Sequence, residues 1–283
     1  MPKIDGKTRV YGIMGCPVRH TLSPRMYNLL FESMGINSVY VPFEVEPESL
    51  PRALVGLRAL GLQGVHLTAP FKEAVVPYLD RLSREAAAIG AVNVVLNTRG
   101  MLYGDNTDGR GYVRALQREL GYEVGGRTVA LLGAGGSARA IAFTLARVGV
   151  ATLSIFNRTL ERAQKLAADL KHHYPALQVE SLPLEAKVFS ERAAELSLVI
   201  DCTTPAQDNP VNHFPVEGLS VETVVSDISY HHAGAPLLER AREAGLRTQD
   251  GLGMLVHQGA LSLTLLAGLT VKPEQLEGYV KAR

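Results

Sequence analysis

The chain has 283 residues with 46% hydrophobic and 20% charged side chains, the balance of a soluble globular protein with enough apolar material for two ordinary domains, and far from the disordered class. A net charge of +1 gives no electrostatic reason to expect nucleic acid or a membrane surface as partner, so anion recognition has to be local. The charged start, MPKIDGKTRV, has no apolar signal region, and the most apolar later segment, Met254 to Val271, is interrupted by His257 and Gln258; neither a secretion signal nor a spanning helix is expected. Cys16 and Cys202 form no paired or metal-binding pattern, which predicts reduced thiols in a cytoplasmic protein and no metal site.

In chain order, the first third alternates strand and helix patterns. Strands are expected at Val10 to Met14, Val39 to Val45 and Val65 to Thr68, and helices at Pro24 to Met34, Leu50 to Leu60 and Phe71 to Leu82. Ser23 before Pro24 reads as an N-cap followed by a proline at the first helical position. Val92 to Asn97 and Met101 to Tyr103 read as a hairpin around Arg99-Gly100, Asp108 to Leu120 as a connecting helix, and Gly121 to Arg127 as a loop.

From Thr128 the alternation resumes. Strands at Thr128 to Leu132, Leu153 to Phe156, Val179 to Leu182, Leu198 to Cys202 and Val221 to Ile228, with helices at Ile141 to Val148 and Leu160 to His172, describe a doubly wound parallel sheet. After Asp250 two helices remain, Met254 to Ala267 and Pro273 to Lys281, and they are expected to pack back on the first domain. The fold class is therefore α/β: an N-terminal α/β domain of residues 1–107 completed by 251–283, and a Rossmann-type domain of 108–250.

The most specific local signal is Gly133-Ala134-Gly135-Gly136-Ser137-Ala138, set between a buried strand and a helix. The first glycine permits a tight turn, the second lets backbone approach a pyrophosphate, and Ala138 provides the small residue for helix-on-strand packing. The N–H groups opening the helix then face the phosphate. After the next strand, Asn157-Arg158-Thr159 stands where an NAD site carries an acidic residue for the ribose 2′-hydroxyl. Arg158, with Arg162 one helical turn on, suits a 2′-phosphate, so the cofactor reads as NADP.

Four polar clusters lie where strands end and helices begin: His20 to Pro24, Thr68 to Lys72, Gly90 to Asn93 and Gly104 to Gly109. Each also has a local explanation, with Ser23 and Asp108 as caps, Lys72 as a solvated lysine and Asn93 as a turn residue. Jointly, a lysine, a carboxylate, hydroxyls and amides beside an NADP fold suit a polyhydroxylated small molecule.

These motifs resemble the shikimate dehydrogenase family along nearly the whole chain. Gly15-Cys16-Pro17-Val18-Arg19-His20-Thr21-Leu22-Ser23-Pro24 is similar to the family's Gly-x-Pro-x-x-His-Ser-x-Ser-Pro, and His66-Leu67-Thr68-Ala69-Pro70-Phe71-Lys72 to Asn-x-Thr-x-Pro-Phe-Lys. Gly90 to Asn93, Asn106-Thr107-Asp108-Gly109, Asn157-Arg158-Thr159 and Asp250 to Val256 followed by Gln258 match intact. The resemblance implies a substrate domain, an NADP domain and a cleft between them, reversible reduction of 3-dehydroshikimate to shikimate, and Lys72 with Asp108 as the catalytic pair. It implies Thr21, Ser23, His66, Thr68, Lys72, Asn93, Asp108, Tyr230 and Gln258 at the substrate. Thr203, Ile228, Gly251 and Met254 join Gly133 to Ala138, Asn157, Arg158, Thr159 and Arg162 at the cofactor. A monomer or homodimer is expected.

Three positions depart from the family pattern: Thr21 replaces a serine, His66 replaces the asparagine, and Asp201-Cys202-Thr203 stands in place of Asn-Ala-Thr. The first two keep a quinate or dual quinate/shikimate dehydrogenase open. A methylenetetrahydrofolate dehydrogenase has no identifiable aromatic platform here, and a non-catalytic NADP-binding sensor requires Lys72 and Asp108 to lie far apart. His66, two positions before Thr68, is expected to face the substrate and to confer a pH dependence near the ~6.5 of ordinary histidine; a buried structural role is the alternative.

Overall fold

The computed structural model describes residues 4–204, 209–230 and 235–281. It divides into two units, Met1–Asp108 with Val256–Arg283, and Gly109–Leu255. The second boundary falls inside one continuous helix rather than before it.

The first unit runs β1 (Arg9–Gly15), α1 (Ser23–Ser33), β2 (Ser38–Glu44), α2 (Leu50–Ala59), β3 (Gly64–Leu67), α3 (Phe71–Ala74), β4 (Arg81–Leu82), α4 (Arg84–Ile89), β5 (Val94–Thr98) and β6 (Met101–Asp105). These strands form a six-stranded sheet in the order β2-β1-β3-β5-β6-β4. β1 pairs in parallel with β2 and β3, whereas β5 runs antiparallel to both β3 and β6. The side-chain alternation of a strand separates two apolar layers: Tyr11, Ile13 and Val94 go to one face, Met14 and Val95 to the other. α1 covers the first face through Met26, Leu30 and Phe31, and α2 covers the second through Leu50, Leu54 and Leu57. Each fully buried leucine contributes roughly 1.5–3 kcal/mol of transfer free energy.

Two local expectations change. Ser23 is the first residue of α1, not its cap; Leu22 holds the cap position in an αR conformation and no side chain caps the helix. The helix expected over Phe71 to Leu82 breaks after Ala74 into a 3-10 turn at Val76–Tyr78, and Leu82 joins β4. Pro77 sits in that turn, where its missing N–H cannot continue an α-helix. The short α4 follows with Ser83 Oγ accepting from the Ala86 N–H at 3.0 Å, and it ends on Gly90 at φ 69°, a left-handed closure suited to glycine.

The second unit contains α5 (Asp108–Leu120), β7 (Thr128–Leu132), α6 (Gly136–Arg147), β8 (Thr152–Asn157), α7 (Leu160–His173), β9 (Gln178–Pro183), α8 (Ala186–Ser190), β10 (Leu198–Asp201), β11 (Val224–Asp227), α9 (Pro236–Glu243) and β12 (Arg247–Gln249). The strands are all parallel, in the order β12-β11-β10-β7-β8-β9. Numbered within the unit this is the doubly wound order 3-2-1-4-5-6, whose direction reverses between β7 and β10. The strand expected from Val221 begins only at Val224, because residues 221 and 222 form a turn. α10 (Gly251–Ala267) leaves this unit, and with α11 (Pro273–Lys281) it supplies Val256, Leu263, Leu266 and Leu276 to the core around α1.

Candidate active site

Main-chain hydrogen bonds draw the polar motifs of the first unit together. The Val92 N–H donates to the Lys72 carbonyl at 2.7 Å, the Leu67 N–H to the Asn93 carbonyl at 2.8 Å, and the Asn93 N–H to the Asp105 carbonyl at 3.2 Å. The left-handed turn at Gly90 thus delivers Asn93 between the end of β3 and the end of β6. Asn106 makes the next turn: its Nδ2 donates to the Ala91 carbonyl at 2.9 Å, and its Oδ1 accepts the Asp108 N–H at 3.0 Å.

At this junction Lys72 Nζ lies 2.6 Å from Asp108 Oδ2, with the two side chains 16% and 4% exposed. Removing either member of a pair so withdrawn from water would leave the other charge buried and uncompensated. The other carboxylate oxygen accepts Asn93 Nδ2 at 2.7 Å, and the same nitrogen lies 3.3 Å from Gln258 Oε1. Lys72, Asn93, Asp108 and Gln258, from four separate stretches of sequence, therefore share one cluster. Thr21 and Ser23 meet each other, Oγ1 to Oγ at 3.3 Å. Thr68 follows β3, its N–H donating to the Met14 carbonyl at 3.0 Å. Tyr230 belongs to the second unit and is half-buried.

His66 is 5% exposed and engaged at both ring nitrogens. Tyr40 Oη is 2.8 Å from Nδ1 and Tyr27 Oη 3.4 Å from Nε2, and the Tyr27 ring stacks on the imidazole with centroids 5.4 Å apart. Tyr27 Oη also lies 3.3 Å from the Gly259 carbonyl oxygen. Burial, reinforced by the Lys72 charge, pushes the His66 pKa down to about 3. The titration expected near 6.5 is corrected accordingly: the ring is neutral throughout the physiological range.

The second unit has its glycine turn at the sheet's reversal point, on the carboxyl ends of the strands, where open α/β sheets bind ligands. Gly133 adopts φ 108°, a conformation that strains any other residue, and a Cβ there would stand 3.1 Å from the Cys202 carbonyl oxygen, a tight contact with the residues after β10. A Cβ on Gly135 would meet nothing within 4 Å and would project into open space. That is the fit a phosphate cradle needs. Gly136, Ser137 and Ala138 open α6, where backbone N–H groups lack intrahelical acceptors, and no acidic residue occupies that first turn. Ala138 is fully buried against the sheet. Asn157 Nδ2 donates to the Thr159 carbonyl at 2.7 Å, shaping the turn that leaves Arg158 and Arg162 exposed at the start of α7.

Asp201 organises the facing loop. Its Oδ1 accepts the Thr203 N–H at 2.8 Å and the Thr203 hydroxyl at 2.6 Å, while Thr203 Oγ1 accepts Asn209 Nδ2 at 2.6 Å. Burial and then the neighbouring Asp227, its partner in the β10–β11 register, raise the Asp201 pKa to about 7. Gly251 fits directly against Ile228, where a Cβ would collide with the Ile228 carbonyl, and Met254 is buried close behind in the same helix. Among the described residues no group of His, Cys, Asp or Glu is arranged to hold a metal ion, and no helix is long and apolar enough to cross a membrane.

A family profile described as the shikimate dehydrogenase substrate binding domain matches residues 13–95, and one described as shikimate / quinate 5-dehydrogenase matches residues 115–220. The chain belongs to the shikimate dehydrogenase family. A shikimate dehydrogenase (NADP(+)) from Desulforamulus reducens is 40% identical over 95% of this chain and 93% of its own length. Among solved structures, shikimate 5-dehydrogenase from Thermus thermophilus in complex with NADP(H) and shikimate is 34% identical, with a TM-score of 0.84 over 97% of this chain and 99% of that one. Quinate dehydrogenase from Corynebacterium glutamicum in complex with NAD is 27% identical, with a TM-score of 0.82 over 96% and 98% of the two chains. Family membership makes the chain an oxidoreductase of two-unit α/β architecture.

Thr107, Ser262, Tyr27 and Tyr40 are also buried in these networks, with no site role expected for them from the sequence. Two carried a signal: Thr107 lies between Asn106 and Asp108 in a matched motif, and Ser262 follows Gln258 by one helical turn, on the same face. The tyrosines carried none, since aromatic residues in an amphipathic helix and a strand read as core.

Proposed function

We propose that this chain catalyses the reversible, NADP-dependent interconversion of 3-dehydroshikimate and shikimate, with Lys72 and Asp108 handling the proton. The observation that carries the reading is the 2.6 Å contact between Lys72 Nζ and Asp108 Oδ2, two largely buried side chains. NADPH, when bound, supplies the hydride to the ring ketone. The chain must then meet a developing alkoxide with positive charge and a proton, and the Lys72 ammonium offers both. Asp108 orients the ammonium, while Asn93 fixes the carboxylate. In oxidation the deprotonated Lys72 amine takes the hydroxyl proton back and becomes the ammonium again. Thr21, Ser23, Thr68, Asn93, Tyr230 and Gln258 are the proposed ligands for the substrate's hydroxyls and carboxylate, and the hydrogen-bonded His66 is their buried neighbour.

On the second unit, the residues at 133–138 would hold the pyrophosphate, and Arg158 with Arg162 the 2′-phosphate. Thr203, Ile228, Gly251 and Met254 would line the rest of the cofactor site. The lack of an acidic residue in Asn157-Arg158-Thr159 and the NADP named for the two shikimate dehydrogenases above both support this cofactor. Free thiols at Cys16 and Cys202 agree with a cytoplasmic enzyme acting on a small molecule as a monomer or homodimer.

The test is a steady-state panel of shikimate and quinate, each with NADP and NAD. Shikimate with NADP should give the highest kcat/KM. Preference for quinate would transfer the chain to the family's quinate branch, and the absence of turnover with either would defeat the catalytic reading.

A further inference from the structure

We propose that Thr107 and Ser262 are positioning residues that lock the Asn93 amide in the single orientation that donates to Asp108. The proposal rests on the reading of Lys72 and Asp108 as the proton-handling pair. An asparagine amide is nearly symmetric in shape, so the side that faces a carboxylate has to be imposed by its other partners. Here Asn93 Oδ1 accepts the Thr107 backbone N–H at 2.9 Å. Three acceptors surround the two Nδ2 hydrogens, and the two short contacts take them: Asp108 Oδ1 at 2.7 Å and Thr107 Oγ1 at 2.9 Å, with Gln258 Oε1 farther off at 3.3 Å.

The direction of the remaining bonds follows from counting hydrogens. Ser262 Oγ donates to the Gln258 carbonyl at 2.8 Å, and a carbonyl can only accept. Ser262 therefore has no hydrogen left for Thr107, and the 2.9 Å contact between the two hydroxyls runs from Thr107 to Ser262. Thr107 Oγ1 could otherwise turn toward Asn93 Oδ1 or Gln258 Oε1, but both lie at 3.4 Å, beyond the range of a good hydroxyl bond. One chain results: Asn93 Nδ2 to Thr107, Thr107 to Ser262, Ser262 to the α10 backbone.

Asn93, Thr107, Asp108 and Ser262 are all at most 3% exposed, so no solvent substitutes for a lost partner. A flipped Asn93 would set its carbonyl against the Asp108 carboxylate and its NH2 against the Thr107 N–H. With the chain intact, Asp108 Oδ1 is occupied by Asn93, and Oδ2 is the oxygen turned to Lys72. The helix that carries Gln258 thereby also fixes, through Ser262, the geometry of the proton-handling pair on the far side of Asn93.

The experiment is shikimate oxidation by the full-length chain carrying Thr107→Val, Thr107→Ser, Ser262→Ala or Thr107→Val with Ser262→Ala, alongside Lys72→Ala. Thr107→Val should lower kcat about tenfold, the scale of a small misplacement of a reacting group, with the shikimate KM within about twofold of wild type. Thr107→Ser should restore kcat, because it returns the hydroxyl. Ser262→Ala should lower kcat by a smaller factor, and the double variant should be no worse than Thr107→Val alone, since both cut the same chain. Unchanged kcat in Thr107→Val, equal damage in Thr107→Ser, or multiplying losses in the double variant would overturn the proposal. So would a fall in Tm with kcat preserved. If Thr107→Val does not fold, Ser262→Ala decides alone, and wild-type kcat there is the contradicting result. Full activity in Lys72→Ala would defeat the underlying reading, whereas loss there with Thr107→Val unaffected defeats the positioning role only.

Discussion

His66 shows how a single substitution acquires its meaning from what surrounds it. An asparagine at this position offers a donor and an acceptor on one small group, whereas the imidazole reaches Tyr40 on one side and Tyr27 on the other. Its pKa falls to about 3 through burial and the Lys72 charge. A folded-state pKa below the unfolded ~6.5 means that the unfolded chain binds the extra proton between those values. The stability that His66 lends is thus present above pH 6.5 and drains away as pH falls toward 3, by about 2 kcal/mol between pH 7 and pH 5. Thermal unfolding of wild type and His66→Asn over that range should show the steeper acid loss in wild type, and the shikimate KM should show no inflection from His66 between pH 6 and 8. Parallel stability curves, or an inflection near 6.5 abolished by the substitution, would mean that the ring titrates as an exposed histidine does. Position on the strand was legible in the sequence; protonation was not, because it depends on burial and then on the Lys72 charge, which only the fold brings to the ring.

At the scale of elements, the legible parts were those whose signal is local. The glycine turn into α6, the hairpin of β5 and β6 and the long α7 follow from nearest-neighbour chemistry and periodicity. The stretch after Pro70 did not, since apolar spacing suited one helix while Pro77 and the pairing of Arg81 and Leu82 with β6 divided it. Long-range pairing outweighed the pattern. The end of β10 illustrates the same dependence in electrostatic form. Asp201 stands beside Asp227 because parallel register puts them there, and burial with that neighbour raises its pKa to about 7. A carboxyl whose folded pKa exceeds its unfolded ~3.9 contributes fully at low pH and loses that contribution as pH rises through 7. Asp201→Asn keeps an oxygen to accept from Thr203 and removes the titration. Its Tm should exceed that of wild type by several degrees at pH 7.5, and the difference should close near pH 4. A pH-independent difference, or a less stable variant at pH 7.5, would show that Asp201 is an ordinary ionised carboxylate.

For the whole molecule, the division into an α/β unit and a Rossmann-type unit was readable from the alternation of strand and helix patterns, and the return of α10 and α11 to the first unit from the lack of further strands. The exact crossing point was not, because α10 passes from one unit to the other without a break in its helical pattern. The residues of the proposed catalytic cluster were present in the sequence as separate motifs. What the motifs could not convey is their convergence, which the antiparallel insertion of β5 between β3 and β6 accomplishes by carrying Asn93 to Asp108 and Val92 to Lys72. The central claim is that this convergence makes Lys72 the acid and base of an NADP-dependent oxidoreductase. Its most direct test is the steady-state kinetics of Lys72→Ala with shikimate and NADP. The account predicts a kcat lower by about 10²-fold or more, the usual worth of a positioned acid–base group, with a smaller change in shikimate KM; a near-normal kcat in that variant would contradict it.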